Sequence, residues 1–162
     1  FQETYNKESF AELGLNMEFV QDNHSKSKKG VLRGLHFQTK NVQGKLVRVT
    51  RGAVYDVAVD LRTNSPTFGE WYSILLTEKN KIMFYIPEGF AHGFLTLEDD
   101  TEFLYKCTNL YSPEHDSGLR WNDPTINIDW KFEEFNITEE DLTISDKDKV
   151  QQLFDKSSIY FE

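Results

Sequence analysis

Hydrophobic and polar positions change rhythm along this chain. Asn6, a short apolar-periodic stretch and Gly14 predict a capped helix over 6–13. From Val31 onward the period becomes two. The runs 46–50, 53–61, 71–76, 81–86, 90–97 and 101–108 read as strands, separated by turn clusters such as Arg51-Gly52, Asn64-Ser65-Pro66 and Pro87-Glu88-Gly89. Many short strands with regular turns predict an all-β sandwich, jelly roll or barrel. After Asn109 the alternation stops. The tail carries Pro113, a Trp121-Asn122-Asp123-Pro124 turn and a predicted helix over 145–154. It is expected to cover an open end or edge of the sheets, which would otherwise invite association. No repeat or linker interrupts the sequence, so residues 1–162 are expected to form a single domain.

Strand parity sorts the side chains. Phe90, His92 and Phe94 share a face, as do Phe103, Tyr105 and Cys107, and Val54, Asp56 and Ala58. In the run Arg33 to Gln38, parity places Gly34, His36 and Gln38 on one face and Arg33, Leu35 and Phe37 on the other. A barrel lined by His, Tyr, Asp and Phe reads as a ligand cavity rather than a dry core. The aromatic load, 13 Phe, 7 Tyr and 3 Trp, supplies broad faces to line and close it.

A net charge of −9 argues against sequence-independent nucleic-acid binding, which needs clustered Lys and Arg, so any phosphate must be met locally. The lone Cys107 cannot form an intramolecular disulfide, and no long apolar run marks a membrane span. A cytoplasmic location is the expectation. The chain begins at Phe1 within an aromatic-rich segment, and N-terminal residues are expected to be missing.

Candidate chemistry concentrates in Arg33-Gly34-Leu35-His36-Phe37-Gln38. Taken alone, His36 is either a base or a hydrogen-bonded core histidine. Lys45 is either a cavity ammonium or a surface lysine, and Tyr105 either an acid or packing with a wet hydroxyl. His92 could serve a metal, a phosphate or the core. Metal-ligand spacing is absent: no His-x-His pair occurs, His24 and His115 lie in polar loop-like segments, and there is no Cys-x-x-Cys. Gly-x-Ser-x-Gly, Gly-x-Gly-x-x-Gly and P-loop patterns are also lacking. Ser145-Asp146-Lys147-Asp148 has capping-box spacing, which makes Asp148 a helix cap on local grounds.

Five segments together carry a resemblance: Gln21-Asp22-Asn23-His24-Ser25, Gly30 through Gln38, Gln43-Gly44-Lys45-Leu46-Val47-Arg48-Val49, Ile86 through Phe94, and Tyr105-Lys106-Cys107-Thr108. In order and spacing, from Phe1 to about Phe154, the chain closely resembles the dTDP-4-dehydrorhamnose 3,5-epimerase family. The resemblance implies a homodimeric cupin-type jelly roll with short peripheral helices and a C-terminal tail. It also implies an isomerase that uses no cofactor and no metal to invert C3, C5 or both beside the C4 ketone of a dTDP-4-keto-6-deoxyhexose. By the same resemblance His36 is the base, Asp148 its partner, Lys45 the enolate-stabilising cation and Tyr105 the acid on the opposite face. Substrate contacts carry over to Glu3, Gln21, Asp22, Asn23, Arg33, His92, Asp116 and Lys147. Tyr111 matches an aromatic near the sugar, and Arg33 and His92 match groups that meet the diphosphate. The family's N-terminal segments help complete the neighbouring subunit's site.

The chemistry asked of those residues is coherent. A proton beside a ketone becomes removable when the charge passing to the carbonyl oxygen meets a preorganised cation. An imidazole has the right basicity near neutral pH, and a carboxylate behind it orients the ring and stabilises the imidazolium. Inversion then needs a second donor across the sugar ring. Three alternatives remain at this point: an epimerase acting at C3 or C5 alone on a related dTDP- or GDP-4-keto sugar, a metal-dependent cupin enzyme, and a non-catalytic nucleotide-sugar-binding cupin.

Overall fold

The period-two runs become strands of two antiparallel sheets in the computed structural model, which describes residues 1–162. The strands are β1 (Gln21–Ser27), β2 (Leu32–Gln38), β3 (Lys45–Arg51), β4 (Ala53–Asp60), β5 (Trp71–Thr77), β6 (Met83–Ile86), β7 (Phe90–Thr96), β8 (Thr101–Cys107) and β9 (Asp116–Gly118). One sheet has the order β1-β8-β3-β6 and the other β5-β4-β7-β2-β9. The all-β, jelly-roll expectation is therefore met. Consecutive strands repeatedly change sheet, so residues far apart in sequence share one interior.

Two apolar layers hold this arrangement. Between the sheets, Val47, Val49, Val54, Leu76, Ile86, Phe94 and Phe103 form one core. On the outer face of the five-stranded sheet, Leu35, Phe37, Tyr55, Val57, Val59 and Leu95 pack under tail residues Ile126, Trp130, Ile137 and Phe154. Strand β4 is consequently buried at every position. Each fully buried aliphatic side chain contributes about 1.5–3 kcal/mol. The expected role of the tail is corrected in place: its main burial is over a sheet face rather than an end or edge. Asp123 fastens it, accepting from the backbone N–H groups of Thr125 and Ile126 at 2.8 Å and of Phe154 at 2.7 Å.

Two strands depart from the sequence expectation. β1 is polar throughout and lacks an apolar alternation; pairing along its whole length with β8 places it, and its alternate residues Gln21 and Asn23 face the interior between the sheets. His24 therefore lies on a strand, not in a loop, and pairs with Glu102 at 3.2 Å. β9 is three residues long, too short for a period to register.

The helices are peripheral. α1 (Lys7–Glu12) matches expectation, with the Asn6 side chain accepting from Glu8 and Ser9 N–H. The second expected helix, over 145–154, is realised only as α2 (Asp146–Lys149). Tertiary bonds draw the remainder out: Gln152 bridges Leu119, its carbonyl accepts from Arg120 N–H at 3.0 Å, and Phe154 enters the outer core. No helix is long and apolar enough to cross a membrane.

One irregularity shapes the site. On β2, Arg33 pairs with Phe94 of β7 and His36 with His92, so three steps on β2 match two on β7. This bulge overturns simple parity and brings Arg33 onto the same face as His36. Gly34, at φ +121°, permits it: an added Cβ there would meet Gly93 Cα at 2.6 Å and His92 O at 2.8 Å.

Candidate active site

The interior between the sheets is apolar at one end and polar at the other. At the polar end a cavity of about 400 Å³ is lined by Gln21 and Asn23 of β1, His36 and Gln38 of β2, Lys45 of β3, Tyr105 of β8, Asp116 of β9, Lys147 of α2 and the loop residue Tyr111, among others. Five strands, a helix and a loop, distant in sequence, thus contribute to one space. A larger cleft of about 710 Å³ lies among tail residues including Trp121, Asp129 and Glu139, but its lining has no histidine, tyrosine or cysteine to form an acid–base pair.

His36 and Asp148 form a close imidazole–carboxylate pair in the cavity wall. Nε2 of His36 stands 2.6 Å from Oδ1 of Asp148. The other oxygen, Oδ2, accepts from Gly34 N–H at 3.3 Å. Ser145 caps α2 by accepting from Asp148 N–H at 3.1 Å, while the Asp148 carboxylate turns away toward β2. The reading of Asp148 as a cap is thereby corrected: Ser145 is the cap, and the aspartate side chain serves the histidine and Gly34 instead of completing a capping box. Burial alone would push the Asp148 carboxyl up. The His36 hydrogen bond and charge, with help from Gly34 and Ser145, outweigh it and hold the carboxyl below its ordinary value. Nδ1 of His36 has no partner within the chain.

Lys45 enters at the start of β3, opposite Cys107 on β8. Burial lowers its ammonium pKa below the usual lysine value, against the pull of Cys107, Asp56 and Asp116. Tyr105 is pushed up, chiefly by burial, so its phenol holds its proton beyond the ordinary range. Deeper still, His92 and Asp56 form a second imidazole–carboxylate pair, with Nε2 at 3.0 Å from both carboxylate oxygens. Burial raises the Asp56 carboxyl and lowers the His92 imidazole, opposed in each case by the partner.

At the mouth, Tyr111 Oη donates to Asp116 Oδ2 at 2.9 Å, and the Lys147 ammonium contacts the same carboxylate. Tyr111 is 53% exposed. Tyr111 N–H donates to the Gln21 side chain at 2.8 Å.

Of the residues expected from sequence, Gln21, Asn23, His36, Lys45, Tyr105, Tyr111, Asp116 and Lys147 converge on the cavity, with Asp148 behind His36. Arg33 reaches the same face and lies close enough for its charge to act on Tyr105. Three residues are not brought in. Asp22 alternates away from Gln21 and Asn23 to the outer face of its sheet, where it pairs with Lys106 at 2.9 Å. Glu3 is exposed, and its neighbour Thr4 lines a groove on that outer face with Asp22, His24 and Arg48. His92, expected at a diphosphate, is only 6% exposed and committed to Asp56. Sequence reading passed over Gln38 and Gln43, which also line the cavity. Parity had put Gln38 on the His36 face, and that was the signal available. No three His, Cys, Asp or Glu side chains converge as a metal-ligand set.

The comparisons agree with one another. Residues 1–156 match the family described as dTDP-4-dehydrorhamnose 3,5-epimerase. The protein of that name from Methanothermobacter thermautotrophicus is 54% identical over 160 residues, covering 99% of this chain and 84% of the relative. Its namesake from Salmonella typhimurium is 53% identical, covering 97% of this chain and 84% of the relative. Among solved structures, the dTDP-6-deoxy-D-glucose-3,5-epimerase of Legionella pneumophila in complex with dTDP-4-keto-L-rhamnose superposes with a TM-score of 0.88 at 47% identity, covering 94% of this chain and 79% of that one. A match across nearly the whole chain, joined to identities near one half, shows that this chain belongs to the dTDP-4-dehydrorhamnose 3,5-epimerase family.

Proposed function

We propose that residues 1–162 act as one catalytic domain that inverts C3 and C5 of a dTDP-4-keto-6-deoxyhexose, in the formation of a dTDP-L-rhamnose-type sugar. The observation that carries this reading is the His36–Asp148 pair opening onto the cavity that Lys45 and Tyr105 also line. With its Nε2 proton held by Asp148, the neutral His36 ring offers Nδ1 as the base. Nδ1 takes a proton from the carbon beside the ketone. The C–H electron pair moves into the ring C–C bond, and the carbonyl π electrons pass to the C4 oxygen. The Lys45 ammonium stabilises that enolate oxygen in a partly desolvated site. Tyr105 then donates its phenolic proton to the carbon from the other face, and solvent restores both residues.

Substrate binding follows from the charges around the mouth. Arg33 and Lys147 meet the diphosphate, and Gln21, Asn23, Tyr111 and Asp116 meet the sugar and its surroundings. His92, held by Asp56, supports the cavity floor beside Lys45. Glu3 and Asp22 face away from their own cavity, so we assign them to the cavity of a second copy in a homodimer. The buried free thiol of Cys107 fits a reducing, cytoplasmic setting.

The test is incubation with dTDP-4-keto-6-deoxyglucose in deuterium oxide, with NMR of the product. Deuterium at both C3 and C5 is expected. Absence of exchange at both carbons sinks the reading, and exchange at one carbon only removes its two-centre part.

A further inference from the structure

Gln38 lies two residues beyond His36 on β2 and has no part in the chemistry above. Its side chain is 4% exposed and fully committed. Oε1 accepts from Ser112 N–H at 2.8 Å. Nε2 donates to the carbonyls of Leu110 at 3.2 Å and Asn41 at 2.7 Å. Two of these three partners flank Tyr111. Gln21, from the opposite sheet, accepts the Tyr111 N–H itself. Three consecutive residues of an irregular loop are thus held by glutamine side chains from two sheets. Tyr111 is 53% exposed, so its place depends on these backbone bonds and on its hydroxyl's bond to Asp116 rather than on burial.

The loop matters because one base must serve two carbons. His36 removes a proton on one side of the ketone, and the sugar must then present its other side before a second abstraction. During that interval release competes with the second step. A fixed aromatic at the mouth keeps the singly inverted sugar in place, whereas a loose one lets it leave.

We propose that Gln38 is a positioning residue for the second epimerisation: by pinning Leu110 and Ser112 it holds Tyr111 across the cavity mouth and favours the second inversion over release. This rests on the two-centre reading above. It acts through the partition of an intermediate and leaves the first abstraction intact.

The test uses the full chain with dTDP-4-keto-6-deoxyglucose in deuterium oxide, comparing wild type with Gln38→Leu and Gln38→Glu and checking each by thermal unfolding. Gln38→Leu removes all three bonds. Gln38→Glu keeps the volume and the bond from Ser112, and loses the two donated bonds. The first exchange should stay within about threefold of wild type, while the ratio of doubly to singly exchanged product falls about tenfold in Gln38→Leu and less in Gln38→Glu. Adding Tyr111→Ala to either variant should lower the ratio no further than Tyr111→Ala alone. If Gln38→Leu does not fold, the Gln38→Glu comparison and its double variant decide. An unchanged ratio, an equal fall in both exchanges, or additive losses with Tyr111→Ala overturns the proposal. Loss of exchange in the wild type refutes the epimerase reading instead.

Discussion

Nε2 of His36 and Oδ1 of Asp148 lie 2.6 Å apart although 112 positions separate them in the chain. The contact joins a strand of the five-stranded sheet to a four-residue helix in the tail. It gives the imidazole, which lines the cavity, a defined orientation and leaves Nδ1 without a partner.

Asp148→Asn should lower kcat by about 10²–10⁴-fold, because an amide neither stabilises the imidazolium nor fixes the productive tautomer. Nucleotide-sugar affinity should change little. Steady-state kinetics paired with calorimetric titration of dTDP separates the two, and a loss confined to KM would contradict the role.

Tyr105→Phe should uncouple exchange from inversion. His36 still removes the proton, but its own return of a proton restores the starting configuration. Deuterium should enter recovered substrate while inverted product falls by about 10²-fold or more. Equal loss of exchange and inversion would place Tyr105 elsewhere in the mechanism.

The alkaline limit of activity is expected to follow Lys45. Its pKa is lowered by burial whereas that of Tyr105 is raised, so the ammonium loses its proton at lower pH than an ordinary lysine and the phenol holds on. The kcat profile should fall on the alkaline side as Lys45 neutralises. Lys45→Met should lose about 10²–10³-fold in kcat at neutral pH and flatten that limb. An alkaline limb that survives the substitution would show that another group is responsible.

Gly34→Ala should both destabilise the chain and disturb the base. The residue sits at φ +121°, and a methyl would press on Gly93 Cα and His92 O across the bulge. A loss of about 1–3 kcal/mol is expected from the backbone alone. Chemical denaturation measures it, and a wild-type midpoint would show that the bulge relaxes freely.

Asp60 ties stability to pH. Burial would raise its carboxyl, but hydrogen bonds from the Arg62, Ser65 and Thr67 side chains and from Arg62 N–H hold it far below the ordinary range. A depressed folded-state pKa means that the contribution is present above the unfolded value, about 3.9, and is lost as pH falls toward the folded one. Melting temperature should therefore drop below about pH 4 more steeply in wild type than in Asp60→Asn. Parallel acid profiles for the two proteins would remove Asp60 from the account.

Much of the fold was readable because most strands carry one buried face. Runs such as Ala53–Asp60 and Phe90–Thr96 advertise themselves through apolar residues at fixed intervals, and the structure places them within a residue of expectation. β1 escaped because its inward face is polar, lining the cavity with Gln21 and Asn23, so no apolar period marks it. The helix over 145–154 shortened because Gln152 and Phe154 gain more from the sheet and the outer core than from a local turn. At the site, the residue types were visible in short motifs, but parity misplaced Arg33, since a bulge leaves no periodic signature.

The sequence by itself determined most of the strand pattern and, through motif resemblance, the family and the candidates His36, Lys45, Tyr105 and Asp148. The tertiary structure alone decided that Ser145, not Asp148, caps the helix, that Arg33 shares the His36 face, that Asp22 turns outward, and that two glutamines hold the loop carrying Tyr111. The physical reason is range. Hydrophobic alternation and capping act within a few residues, whereas a hydrogen bond across 112 positions exists only after both sheets and the tail have closed around it.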